Sequence, residues 1–182
     1  MNMQKNQLVS SAMTHGLMLG GGFVIVNIVF WLTDRPFAGG QEYVNYFLYI
    51  GLIYLGTVSF RKTEPGGYIK YGKALAYGAL TSFFGAVIFA FWLFVLYKFI
   101  DSDLLQQRIE FTQDALLNQG MSDDMVEQQS KVMEMFMGPG IMAFGELFGK
   151  TLMGFILSLI VAIFTKKNNP DPFADATGHI ED

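Results

Sequence analysis

Four long apolar stretches determine what this chain can fold into. They cover residues 11–32, 43–60, 74–100 and 141–165. A helix needs about 20 mostly apolar residues to cross a bilayer, because each residue rises about 1.5 Å through a hydrocarbon core of about 30 Å. The second stretch has no charged residue, and the third has none before Lys98. A soluble bundle would show polar faces at a 3.6-residue period, which these two stretches lack. The sequence therefore predicts an all-α, polytopic membrane protein with a four-helix transmembrane bundle.

The composition supports this prediction and excludes several other classes of protein. Only 15% of the residues are charged and 52% are hydrophobic, whereas soluble domains average about 25% charged residues. The net charge of -4 leaves no broad basic face for a nucleic acid. The chain has no cysteine, which excludes disulfides, thiolate metal sites and a cysteine nucleophile. The first apolar stretch is too long for the apolar core of a signal peptide, so we expect it to remain as a span.

The distribution of lysine and arginine predicts the orientation of the four spans. Basic residues accumulate on the cytoplasmic side of short loops. Seven of them fall on one side of the predicted spans, namely Lys5, Arg61, Lys62, Lys70, Lys73, Lys166 and Lys167. The other side has Arg35, Arg108 and Lys131. We therefore expect both termini to be cytoplasmic, and six of the basic residues to contact lipid headgroups of the bilayer: Arg61, Lys62, Lys70, Lys73, Lys166 and Lys167. The polar residues 168–182 are expected to form a mobile cytoplasmic tail.

The segment 101–138 is the one substantial piece predicted to lie outside the membrane, and it is acidic. Its eight acidic residues against Arg108 and Lys131 give a net charge of -6. Gly120 is expected to end a first helix, and Ser122 to begin a second one as its N-cap. On the second helix, one apolar face is formed by Met125, Gln129, Val132 and Phe136. The segment is predicted to form an extracytoplasmic helical hairpin, whose apolar faces pack within the chain, on the membrane surface or on a partner.

Polar residues within the spans are the place to look for a binding site, because charged groups in the bilayer are costly. Five of them fall in the outer halves of the spans: Asn27, Asn45, Lys98, Glu146 and Lys150. Glu146 and Lys150 are four residues apart on the last span, in the favourable order for a helical ion pair. They are expected to form an ion pair at the membrane boundary, with Lys150 reaching outward. The alternative is a polar layer that holds a small polar ligand or a protonatable Glu146.

Two pairs of glycines have the spacing that allows close helix packing in lipid. Gly16 and Gly20 are on the first span, and Gly145 and Gly149 are on the fourth. We expect them to pack helices within the bundle, and the alternative is a homo-oligomer face.

The sequence contains no motif that indicates catalysis. No HExxH, GxSxG or Ser/Lys dyad occurs, and His15, near the start of the first span, has no second histidine in the spans for a metal site. We therefore expect no enzyme activity, no cofactor and no metal.

The whole pattern resembles the small four-span bacterial membrane proteins of domain-of-unknown-function family 4199, which are frequent in Bacteroidota. The similarity lies in the glycine-rich residues 15–22, the basic turn 68–73, the acidic hairpin after Asp101, and residues 157–167, which end in two lysines. The resemblance implies an inner-membrane location and four spans, and it assigns no activity.

Two functions are compatible with these observations. The first is a non-enzymatic accessory or structural subunit that acts through its outer hairpin, as an oligomer or within a larger membrane assembly. The alternative is a small oligomeric carrier or channel-like protein that uses the outer polar layer.

Overall fold

The computed structural model describes residues 2–33 and 40–168. Arg35 and the tail from residue 169 onward lie outside the described residues, as do the side chains of residues 2–5, Lys5 among them. Six helices follow one another along the described chain: α1 Asn2–Leu32, α2 Gly40–Thr63, α3 Tyr71–Val95, α4 Asp103–Asn118, α5 Asp123–Phe136 and α6 Pro139–Thr165. A π-helical turn, Leu96–Ile100, continues α3.

Helices α1, α2, α3 and α6 are long and apolar enough to cross a membrane. The predicted all-α, polytopic architecture with four spans is therefore confirmed. α1 begins nine residues before its predicted span, and α2 is three residues longer at each end. α3 also begins three residues earlier than predicted, and α6 begins two residues earlier.

Helix α3 is the central helix of the bundle, and it packs most extensively against α6 and α1. Small residues make this close approach possible. A Cβ atom built on Gly20 would lie 2.7 Å from Cβ of Ile88, and one built on Gly16 would lie 2.6 Å from Cβ of Phe84. Both glycines of α1 therefore allow α1 to contact α3, as expected for packing within the bundle.

The second pair of glycines has different surroundings. Among the described residues, no heavy atom lies within 4 Å of a Cβ built on Gly145 or Gly149. Both are exposed on α6, beside the exposed rings of Phe144 and Phe148. This pair does not pack helices within the protomer.

The end of the bundle with the loop between α2 and α3 is called the loop end, and it is held together by backbone contacts. Ile69 and Lys167 exchange two backbone hydrogen bonds, each 3.0 Å long. Arg61 donates from its guanidinium to the carbonyl of Thr165 at 2.9 Å. Lys73 forms an ion pair with Glu64. The loop is thus fixed to the end of α6.

At the opposite end, called the hairpin end, α4 packs onto the bundle. Its Leu104 is buried with the main apolar core, and Ile109 is also buried. Asp101 accepts a hydrogen bond of 2.9 Å from the indole of Trp31, which ties the start of the hairpin to α1. Gln113 of α4 donates to Ser130 of α5 at 2.8 Å and joins the two hairpin helices.

Candidate functional site

Four side chains, one from each long helix, meet at one level of the bundle core. The rings of Phe23 and Tyr49 are 4.7 Å apart between centroids, and those of Phe23 and Phe89 are 5.9 Å apart. Tyr49 donates from its hydroxyl to the backbone carbonyl of Lys150 at 2.7 Å. Because α2 and α6 run in the same direction, this hydrogen bond aligns the residues of the two helices turn by turn.

The ammonium group of Lys150 lies inside this level. Lys150 is only 7% exposed, and its Nζ is 4.7 Å from the ring centroid of Phe89 and 5.1 Å from that of Phe23. Aromatic faces attract a cation through their quadrupole, and more strongly where water is excluded. Lys150 forms the predicted ion pair with Glu146, and its ammonium group lies in the core near the middle of α6.

Three polar residues lie one helical turn nearer the hairpin end than the level of Phe23, Tyr49 and Lys150. Asn27 of α1 accepts a 2.8 Å hydrogen bond from the indole of Trp92. Asn45 of α2 is fully buried, and within the described part of the chain neither its Oδ1 nor its Nδ2 has a hydrogen-bond partner. Glu146 of α6 is at the same level as Asn45, because each lies four residues before the Tyr49–Lys150 contact. Together with Lys150, these residues are called the polar layer.

Glu146 connects the polar layer to the hairpin. Its Oε2 is 3.9 Å from Nζ of Lys150, and its Oε1 is 3.5 Å from the guanidinium of Arg108 on α4. Arg108 also donates to the hydroxyl of Tyr97 at 3.3 Å. Burial alone would lower the pKa of Arg108, but Tyr97 and Glu146 offset this effect and raise the pKa above its usual value. Two cations therefore share one carboxylate, which leaves a surplus positive charge.

Four of the five residues predicted for an outer polar layer lie at neighbouring levels of the bundle: Asn27, Asn45 and Glu146 are each one turn from the level of Lys150, and Glu146 and Lys150 form an ion pair. Lys98 is exposed and lies over the rings of Phe94 and Phe99, at 5.6 and 6.0 Å from their centroids. The buried face of the π-helical turn is formed by Leu96 and Tyr97, so the next residue points away from the core. Sequence reasoning missed Arg108, although it is one of only two basic residues in the acidic segment 101–138.

The six basic residues expected at lipid headgroups all lie at the loop end. Contacts within the protein include those of Arg61 with Thr165, Lys73 with Glu64, and Lys167, whose Nζ is 5.4 Å from the ring centroid of Tyr68. Lys62, Lys70 and Lys166 are exposed. These six basic residues thus form a basic surface, and some of them also hold the loop between α2 and α3 against the end of the bundle.

A second polar network lies in the half of the bundle nearer the loop end. The hydroxyl of Tyr77 is 2.8 Å from Nδ1 of His15 and 3.0 Å from the hydroxyl of Ser11. His15 of α1 thus contacts Tyr77 of α3 and lies between the two helices. Ser11 also lines a shallow cavity of about 510 Å³ at the loop end, together with Asn6, Ser10 and Thr63.

The hairpin carries an open groove of about 650 Å³ between α4 and α5. Among the described side chains of α5, which exclude residues 133–135, Val126 and Ser130 are buried. The apolar face predicted on α5 is instead exposed, with Met125 at 57% and Val132 at 54%. These two residues line the groove together with Thr112, Leu116, Gln128 and Gln129.

Acidic and histidine side chains do not converge into a metal site. Among the residues that the structure describes, no three such groups are placed to hold a metal ion.

The comparisons with known proteins give one match. A family model described as a protein of unknown function (DUF4199) matches residues 14–167. Neither a curated protein nor a solved structure matches the chain.

Proposed function

The chain belongs to the DUF4199 family of proteins of unknown function, and we propose that it is a non-enzymatic accessory subunit of an inner-membrane assembly that acts through its hairpin. The observation that carries the proposal is the exposed groove between α4 and α5. Met125 and Val132 stay exposed on a helix whose other face is already packed on α4. Exposed apolar patches lined by polar residues are typical of interaction sites.

The charge of the hairpin indicates the chemistry of its partner. Segment 101–138 has a net charge of -6, and Asp123 and Asp124 form the acidic first turn of α5, the helix that contributes Met125 and Val132 to the groove. An anionic lipid surface would repel this segment. An amphipathic helix with basic residues beside its apolar face would fill the apolar groove and pair with the acidic residues of the hairpin, as in other helix-in-groove complexes.

The hairpin is attached firmly enough to transmit an interaction to the spans. α4 is fixed to the bundle by buried Leu104 and by the contacts of Arg108 with Glu146 and Tyr97. A partner bound in the groove would therefore be held at a fixed position above the polar layer.

Replacing Val132 with aspartate is expected to abolish copurification of a stoichiometric partner from native membranes. The substitution puts a charge into the apolar groove, where an apolar partner side chain leaves it unpaired. The control is Asn118→Asp, which adds the same charge at an exposed position of α4 outside the groove. Both variants should keep the wild-type melting temperature in detergent. A partner that is retained equally by both variants, or the absence of any partner from the wild-type protein, would contradict the proposal.

We further propose that the hairpin end faces away from the cytoplasm, since the basic residues are concentrated at the loop end. The chain has no cysteine, so single cysteines can report the orientation. In intact spheroplasts, a membrane-impermeant maleimide should label Gln128→Cys, whereas Lys166→Cys should react only after lysis. The reverse pattern of labelling would show that the orientation is inverted.

A second candidate function, a small oligomeric carrier or channel-like protein, is favoured by the buried charges of the polar layer. Four spans enclose little aqueous space, so transport would require oligomerisation. A strictly monomeric state in mild detergent would count against it.

A further inference from the structure

The polar layer contains hydrogen-bonding groups that the proposed role of the hairpin does not use. Nζ of Lys150 has three hydrogens to donate, yet its ion-pair distance to Glu146 is 3.9 Å. Charge-assisted hydrogen bonds are about 2.7–2.9 Å long. Among the described residues, Lys150 Nζ therefore makes an ion pair with Glu146 and contacts with two rings, but no hydrogen bond of ordinary length.

Asn45 provides a second, independent observation. It is 0% exposed, and neither atom of its amide has a partner in the described part of the chain. A buried amide without partners is costly, and most of all in a helix surrounded by lipid, where water does not compensate the loss. An apolar residue would fill this position at lower cost, so the amide is a sign of a ligand.

The alignment of the helices brings these groups to one place. Tyr49 links α2 to α6 at Lys150 and also contacts Phe23 of α1. Asn45 is one turn from Tyr49 on the same buried face of α2, and Glu146 is one turn from Lys150 on α6. Asn45 and Lys150 thus lie on adjacent turns of two neighbouring parallel helices.

The charges of the cluster indicate the sign of the ligand. Arg108 and Lys150 are positive and Glu146 is negative, and the other nearby carboxylate, Glu42 of α2, is exposed to the surroundings, so one negative charge inside the cluster completes the balance. Arg108 already holds Glu146 from the side of the hairpin, which leaves Lys150 available for a second carboxylate. We propose that the polar layer binds one small carboxylate, whose oxygens accept hydrogen bonds from Nζ of Lys150 and Nδ2 of Asn45.

A carboxylate can come from the aqueous phase or from a fatty acid in the bilayer, since both present the same headgroup. Lys150 lies near the middle of α6, and Glu146 and Arg108, with side chains 25% and 31% exposed, lie between it and the hairpin end. Sodium acetate and sodium laurate are therefore the two probes to compare.

The indole of Trp92 reports on the polar layer, because it donates to Asn27. The chain has two tryptophans, so Trp31→Phe leaves Trp92 as the single tryptophan, which can be excited selectively over the tyrosines in nanodiscs. Acetate or laurate, titrated against sodium chloride at equal ionic strength, should shift the Trp92 emission with a saturable curve. Saturation by acetate indicates a soluble ligand, and saturation by laurate alone indicates a membrane ligand; both support the site.

Variants of the two ligand-binding residues test the assignment. Lys150→Met and Asn45→Leu should each weaken the binding of the active probe at least tenfold. Lys98→Met, which removes an exposed lysine outside the layer, should leave the binding unchanged. Asn45→Leu removes an unpartnered amide and should fold at least as well as the wild-type protein, so it keeps the test valid if Lys150→Met does not fold. The proposal is overturned if neither probe gives a saturable shift, or if Asn45→Leu binds as the wild-type protein does.

Discussion

Replacing Glu146 with leucine is expected to lower the free energy of unfolding by about 3 kcal/mol, because it leaves a buried charge without its partner. Lys150 is packed between Phe23 and Phe89, and Glu146 is the one carboxylate paired with it among the described residues. Without Glu146, the ammonium remains in a core of low polarity, where its attraction to the two rings does not fully compensate the loss of its hydration.

Replacing the lysine of this ion pair should lower the free energy of unfolding much less. In Lys150→Met, Glu146 keeps its contact with Arg108, and methionine fills the space between the rings. Replacing a buried ion pair with apolar residues is often neutral or stabilising. The double variant, Glu146→Leu with Lys150→Met, should therefore recover most of the stability lost in Glu146→Leu. Unfolding by sodium dodecyl sulfate in mixed micelles measures all three variants, and equal losses in the two single variants would contradict the asymmetry.

Replacing Gly20 with valine is expected to destabilise the bundle by about 3 kcal/mol, at the upper end of the usual cost of overpacking. A Cβ on Gly20 would lie 2.8 Å from the carbonyl oxygen of Gly85 as well as against Ile88. The contact with backbone cannot be relieved by a side-chain rotation, so α1 must move away from α3.

Gly149 provides the matched control for this prediction. A Cβ on Gly149 has no neighbour within 4 Å among the described residues, so Gly149→Val should change the stability of the protomer by less than about 1 kcal/mol. The melting temperature and the SDS midpoint of each variant, compared with those of the wild-type protein, measure the difference. A loss at Gly149 as large as that at Gly20 would show that another molecule packs against this face of α6.

The sequence predicted the spans well because the signal is local. A run of apolar residues such as 43–60 determines its own helix, and all backbone groups must be paired within it in lipid. The sequence does not indicate whether a side chain within a span points into the bundle or toward the lipid. Lys98 and Lys150 are both in the halves of their spans nearer the hairpin end, but helices that are apolar on all sides have no polar face to indicate which of the two lysines points into the bundle.

Contacts between separate elements were beyond the reach of sequence reasoning. The two glycine pairs have identical spacing, and only the packing of α1 on α3 distinguishes them. Arg108 was assigned to an outer hairpin, and its contact with Glu146 depends on α4 lying on the bundle. The sequence predicts the apolar face of α5 but not what covers it: among the described side chains of this helix Val126 and Ser130 are buried, and three residues of the predicted face line the open groove.

Photocrosslinking from the groove in intact membranes tests most directly whether the hairpin binds a partner. A photoreactive amino acid at Gln129, which lines the groove, is compared with the same amino acid at Glu127, an exposed position outside the groove lining. The proposed function predicts one discrete adduct with a second membrane protein from Gln129 and none from Glu127. The absence of an adduct from Gln129, or the same set of adducts from both positions, would contradict it.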